Sequence, residues 1–91
     1  MLSLQEIEDA ARVVHAAMPP TPQYAWPLLA RRTGCETWVK HENHTPTGAF
    51  KVRGGLVYMD RLARTDRPPG VVSATRGNHG QSIAVGAARA G

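Results

Sequence analysis

The sequence predicts an α/β fold, part of an open, mainly parallel sheet with flanking helices. Two observations carry this. Helix-like and strand-like runs alternate along the 91 residues, with no internal repeat or low-complexity segment. Two β-type runs, Glu36 to Glu42 and Val71 to Ala74, each lead through a glycine-bearing turn into a helical run. Alternation of this kind stacks helices on a parallel sheet. Two strands do not complete such a sheet, and the last helix should lead to another strand. Residues 1–91 are therefore expected to form the N-terminal fragment of a longer α/β enzyme, truncated before the remainder of the catalytic domain.

Each element has a local reason. Ser3-Leu4-Gln5-Glu6 is a capping-box pattern. Behind it Leu4, Ile7, Ala11, Val14 and Met18 recur at three- and four-residue steps, one face of an amphipathic helix that Pro19-Pro20 must end. Thr21-Pro22 opens a loop, and Trp26-Pro27 starts a short helix through Arg32 that Gly34 stops. Thr37, Trp38 and Val39 mark the first strand. After a loop from Asn43 to Thr47, Thr47 is expected to cap a helix running to about Arg64, with Phe50, Leu56, Val57, Met59 and Leu62 as its apolar positions. Gly54-Gly55 weakens that helix by up to ~1 kcal/mol per glycine, so close approach of another backbone is expected there. Val71 to Ala74 reads as a short buried strand, and Gln81 to Ala90 as a small-residue helix capped by Gly91.

Composition narrows the function classes. Hydrophobic residues make up 42%, enough for a small core. No apolar run approaches the ~20 residues of a membrane span, and the N-terminus is acidic and lacks a signal-peptide core. The single cysteine, Cys35, cannot form an internal disulfide, which points to a cytoplasmic location. The net charge is +4, but the arginines are dispersed and not interleaved with aromatics, so no nucleic-acid partner is expected. Cys35, His41 and His44 do not have zinc-motif spacing, and no metal is expected. Trp26 and Trp38 read as packing residues.

Two glycine-framed segments carry the chemistry. The first is Thr47-Gly48-Ala49-Phe50-Lys51-Val52-Arg53-Gly54-Gly55. A free lysine, with a pKa near ~10.4, is almost wholly protonated at neutral pH, and imine chemistry needs the neutral amine. A place in the first helical turn, where the macrodipole is positive, favours the neutral form. Apolar cover from Phe50 and Val52 would add desolvation in the same direction. Taken alone, Lys51 reads as a solvated helix-start lysine. The second segment is Arg76-Gly77-Asn78-His79-Gly80, between the second strand and the last helix. Its glycines let backbone approach a ligand, and the helix start offers N–H groups to an anion. Taken alone, Asn78 reads as a structural turn residue.

Together these segments resemble the pyridoxal-phosphate enzymes of the tryptophan-synthase β-subunit fold, and within them the threonine/serine dehydratases. The resemblance runs from about Thr21 to Gly91 and rests on Lys40-His41-Glu42, Thr45-Pro46-Thr47-Gly48, Phe50-Lys51-Val52-Arg53-Gly54 and Gly77-Asn78-His79-Gly80. It implies pyridoxal 5'-phosphate as cofactor, held by Lys51 through a Schiff base beside Phe50, with Lys51 as acid and base at the substrate α-carbon. Asn78 is implied to bond the cofactor's ring hydroxyl oxygen, and Thr75, Gly77 and His79 to bind the substrate carboxylate. The implied reaction is α,β-elimination from L-threonine or L-serine to a 2-oxo acid and ammonia, by an enzyme that is a homo-oligomer when complete. Alternatives are a dehydratase for hydroxyaspartate or a hydroxyectoine-derived amino acid, or a non-catalytic remnant of the fold. The family's phosphate-binding glycine cup and its pyridine-nitrogen partner fall outside the resemblance. Two departures stand out. Ala49 replaces a common serine, and Arg76 stands where racemases of the family have a serine as second base, which favours elimination over racemisation.

Overall fold

The computed structural model describes all residues, Met1 to Gly91. Helix α1 (Leu4–Ala17) begins with the expected capping box: the Glu6 N–H donates to Ser3 Oγ at 3.2 Å, and the Ser3 N–H donates to Glu6 Oε2 at 2.8 Å. It ends at Met18, whose backbone turns extended ahead of the two prolines. Of its apolar stripe, Val14 and Met18 are buried, whereas Leu4 and Ile7 are exposed. Ser3→Ala is expected to cost about 1 kcal/mol, read as a lowered unfolding midpoint. An unchanged midpoint would mean that α1 contributes nothing to the cooperative unit.

Strand β1 (Gln23–Ala25) pairs antiparallel with β2 (Trp38–Lys40), in the register Gln23 to Lys40, Tyr24 to Val39 and Ala25 to Trp38. Helix α2 (Pro27–Thr33) connects them, opened by Pro27 and closed by Gly34 at φ 75°. This ribbon is the only sheet, and it departs from the expected parallel arrangement. β1 lies in what reads as loop, because three residues between Pro22 and Trp26-Pro27 carry almost no β signal of their own; their order comes from the partner strand. Trp26 and Trp38 are also more exposed than expected. Their indole N–H groups donate to His41 Nε2 at 3.0 Å and to Glu36 Oε1 at 2.6 Å.

A short 3-10 turn, Glu42–His44, follows β2. Helix α3 spans Lys51–Thr65, starting later than a Thr47 cap requires, and Phe50 at its N-cap makes no side-chain bond. The buried Thr45 organises the approach instead. Its Oγ accepts from the Ala49 N–H at 2.9 Å and donates to the Ala49 carbonyl at 2.8 Å, while Gly48 turns the chain at φ 68°.

The segment Val71 to Ala74 is exposed and unpaired, not a strand. A β-strand exists only against a partner ladder, and no strand of this chain pairs with it. Helix α4 (Asn78–Ala90) starts three residues earlier than expected, so Asn78 and His79 are helical. Thr75 completes its first turn, with Oγ accepting from the Gly77 N–H at 3.0 Å and the Gly80 N–H at 2.9 Å.

The core is small: Val14, Met18, Val52 and Leu56, with Ala17 and Val57 packed against it. The main packing is α3 on α4, where Gly55 and Gly86 are buried together with Ser82 and Met59. A Cβ on Gly55 would lie 2.4 Å from the Ser82 carbonyl oxygen, so the expected close backbone approach occurs at Gly55. Gly54 has nothing within 4 Å and plays no part in it. No helix is long and apolar enough to cross a membrane.

Candidate active site

Lys51 is the first residue of α3, and its ammonium lies 5.2 Å from the centre of the Phe50 ring. That distance suits a cation–π contact. The expected apolar cover is absent: Phe50 and Lys51 are both exposed, and Val52 turns into the core. The alternation follows from helix geometry, since neighbouring residues point about 100° apart. Lys51 forms no ion pair, which leaves its amine open to a ligand.

Lys51 lines a cleft of about 590 Å³ with Tyr58, Val72, His79 and Ser82 among its other walls. A shallower hollow beside it, about 710 Å³, is lined by Ala74, Thr75, Arg76, Gly77, Asn78 and His79. His79 belongs to both concavities. Of the six site residues expected from the sequence, five line this pair of concavities. Phe50 does not; its contact is with the Lys51 ammonium.

The start of α4 shows which donors are free. The Gly77 and Gly80 N–H groups are taken by Thr75 Oγ, and the Gln81 N–H by the Gly77 carbonyl. The N–H groups of Asn78 and His79 remain, as expected for the first residues of a helix. Thr75 is thus mainly a capping residue here, and an anion at this loop meets Asn78 and His79 first. Gly77, at φ 151°, occupies backbone space that side chains rarely allow, which explains glycine at that step.

The residues that hold Lys51 in place went unassigned in the sequence. Arg53, two residues beyond it, forms a bidentate pair with Glu42: Nε to Oε2 at 2.7 Å and an Nη to Oε1 at 2.9 Å. Thr21 Oγ donates to the same carboxylate and accepts from Arg53 at 3.3 Å. Lys40 Nζ lies 4.0 Å from Glu42 Oε1 and reaches the Thr21 carbonyl at 3.4 Å. The Arg53 hydrogen bonds are the main reason that the Glu42 carboxyl is held down from 4.5 to about 2; partial burial opposes them, and Thr21, the Arg53 charge and Lys40 assist. The same carboxylate raises the Arg53 guanidinium above its ordinary value. This latch ties the end of β2 and the Thr21 segment to the first turn of α3. The only sequence signal for it is the pair of opposite charges in the two halves of the lysine motif.

The donor set is one unpaired primary amine, one side-chain amide and two free helix-start N–H groups around adjoining concavities. It fits an aldehyde that carries anionic oxygens.

Comparisons with known proteins agree. The chain is 36% identical over 87 residues to the L-threonine ammonia-lyase of Thermotoga maritima, covering 96% of this chain and 22% of that protein. It is 34% identical over 87 residues to the L-threonine dehydratase biosynthetic IlvA of Lactococcus lactis, covering 96% and 21%. An L-threo-3-hydroxyaspartate ammonia-lyase of a Pseudomonas species is 34% identical over 85 residues, covering 93% and 27%. The chain spans about a fifth of the length of the first two. No solved structure matches. Residues 14–91 match the family described as "Pyridoxal-phosphate dependent enzyme". With that match over most of its length, and an amine-bearing cleft that fits the cofactor, the chain belongs to the pyridoxal-phosphate dependent enzyme family.

Proposed function

We propose that this chain is the Lys51-bearing, N-terminal part of a dehydratase that converts a β-hydroxy amino acid, L-threonine or L-serine, to a 2-oxo acid and ammonia. The observation that carries the reading is that Lys51 and the start of α4 share one cleft through His79. Similarity to two proteins named for threonine supports the substrate. The small core and the unpaired Val71 to Ala74 segment support a larger domain, in which that segment joins an open, mainly parallel sheet. A cytoplasmic homo-oligomer is the proposed state of the complete enzyme, on the family resemblance and the single free Cys35.

Lys51 would hold the cofactor through its amine, and Asn78 would donate its amide N–H to the ring hydroxyl oxygen. The free N–H groups at the start of α4, with His79, Gly77 and Thr75, would orient the substrate carboxylate. Pyridoxal phosphate, when bound, supplies an electron sink at the substrate α-carbon. Once the substrate's amine has taken its place on the cofactor, the freed Lys51 Nζ would take the α-proton, and the β-hydroxyl would leave as water on receiving a proton from the same amine. The enamine released then takes up a water to give the 2-oxo acid and ammonia, so that the water lost is regained.

The test is borohydride reduction of the cofactor-loaded enzyme followed by peptide mapping. Label is expected on Lys51, and label on Lys40 instead would overturn the assignment. Lys51→Arg is expected to slow release of 2-oxobutanoate from threonine by about 10²–10⁴-fold.

A further inference from the structure

Three polar side chains are buried: Thr21, Thr45 and Ser82. Thr21 commits its hydroxyl to Glu42 and Arg53, and Thr45 commits its own to Ala49. Ser82 is the most deeply buried of the three, at 1% exposure, and its Oγ has no hydrogen-bond partner in the protein. That oxygen lies against the backbone of α3, 2.6 Å from where a Cβ on Gly55 would stand. A helical serine can bond the carbonyl one turn back, here that of Asn78, yet no such bond forms. The close crossing of α3 and α4 asks only for a small side chain. Alanine would meet that need without a desolvated, unbonded hydroxyl, which is costly. Packing therefore accounts for the size of Ser82 and not for its oxygen.

The surroundings of that oxygen point to a ligand. Ser82 and Gly55 both line the cleft that holds Lys51. On α4, Ser82 stands one turn beyond Asn78 and His79, on the face they share. We propose that Ser82 is a further cofactor-binding residue: its hydroxyl turns about the Cα–Cβ bond, from Gly55 into the cleft, and donates to an oxygen of pyridoxal phosphate held at Lys51. Such a turn is a change between staggered rotamers. The protein thus carries an unbonded hydroxyl that lowers its stability without cofactor and raises its affinity for cofactor. This rests on the reading of Lys51 as the amine that holds the cofactor.

The experiment uses the complete protein, wild type and Ser82→Ala, freed of cofactor. Urea unfolding gives the stability of each, and titration with pyridoxal phosphate, followed by absorbance, gives the affinity. Ser82→Ala is expected to raise the unfolding midpoint of the cofactor-free protein, because the unbonded hydroxyl is gone. It is expected to weaken cofactor binding at least about tenfold, since relief in the free state adds to the bond lost in the bound state. The opposite signs separate this role from a purely structural one, which would move stability alone. Equal affinities in the two proteins would overturn the role of Ser82 and leave that of Lys51 standing. A midpoint that falls would also overturn it, because the hydroxyl would then already be bonded without cofactor. Failure of wild type to take up pyridoxal phosphate would overturn the reading of Lys51, and the role of Ser82 with it.

Discussion

Replacing Gly55 with alanine is expected to destabilise the protein by about 1–3 kcal/mol, whereas the same change at Gly54 is expected to stabilise it by up to about 1 kcal/mol. Both residues lie within α3, and both would gain from alanine's lower conformational entropy in the unfolded chain. The difference is tertiary. At Gly55 the new Cβ would sit 2.4 Å from the Ser82 carbonyl oxygen, 2.6 Å from Ser82 Oγ and 2.7 Å from the Ser82 carbonyl carbon. A side chain could rotate away, but two of those three atoms are backbone, so α3 and α4 must separate. Overpacking a close helix crossing then outweighs the propensity gain. At Gly54 nothing lies within 4 Å, so only that gain remains. Separation of the helices would also widen the cleft that both of them wall, and cofactor affinity should fall in Gly55→Ala. Urea unfolding of the complete protein, wild type against each variant, checks the signs. Stabilisation by both changes would refute the close crossing.

The second large effect concerns the Glu42 latch. Glu42→Gln and Arg53→Ala are each expected to cost about 1–3 kcal/mol at neutral pH, the range for hydrogen bonds to charged groups. The pair is only partly buried, with about a fifth to a quarter of each side chain exposed, so the larger penalties of fully buried pairs do not apply. The pH dependence has a definite sign. Glu42 is held at about 2 in the folded protein against an ordinary 4.5, so the unfolded chain takes up a proton first on acidification. The latch's contribution is therefore complete above pH 4.5 and is lost progressively as pH falls toward 2. Stability measured from pH 6 down to about pH 2 should decline more steeply in wild type than in Glu42→Gln. Parallel curves would show that the pair carries no net stabilisation. Because Arg53 follows Lys51 by two residues, Arg53→Ala should also loosen the start of α3. Cofactor absorbance in the loaded enzyme would then shift or broaden, which a loss confined to global stability would not cause.

Local chemistry in the sequence determined those features whose causes lie within a few residues. The Ser3 and Glu6 capping box closes within one turn, and Pro19 and Gly34 end their helices by backbone chemistry alone. Lys51 opens a helix, and paired glycines inside α3 announce a close neighbour, though only contact with α4 could decide that Gly55 and not Gly54 meets it. The family too was legible, because its motifs are contiguous strings, and the match over residues 14–91 bears it out. Tertiary structure alone decided the pairings between distant residues. β1 is ordered by β2, and Thr45 rather than Thr47 organises the turn before Lys51, because its hydroxyl both accepts from the Ala49 N–H and donates to the Ala49 carbonyl, whereas Thr47 reaches only that carbonyl, at 3.4 Å. Arg53 finds Glu42 11 positions away and Thr21 32 positions away. Val71 to Ala74 has strand-forming residues, yet strand propensity without a hydrogen-bonding partner leaves the segment irregular and unpaired. Propensity and capping act along the chain, where the sequence displays them; ladders, ion pairs and helix crossings act through space, between groups whose meeting depends on every element folded between them.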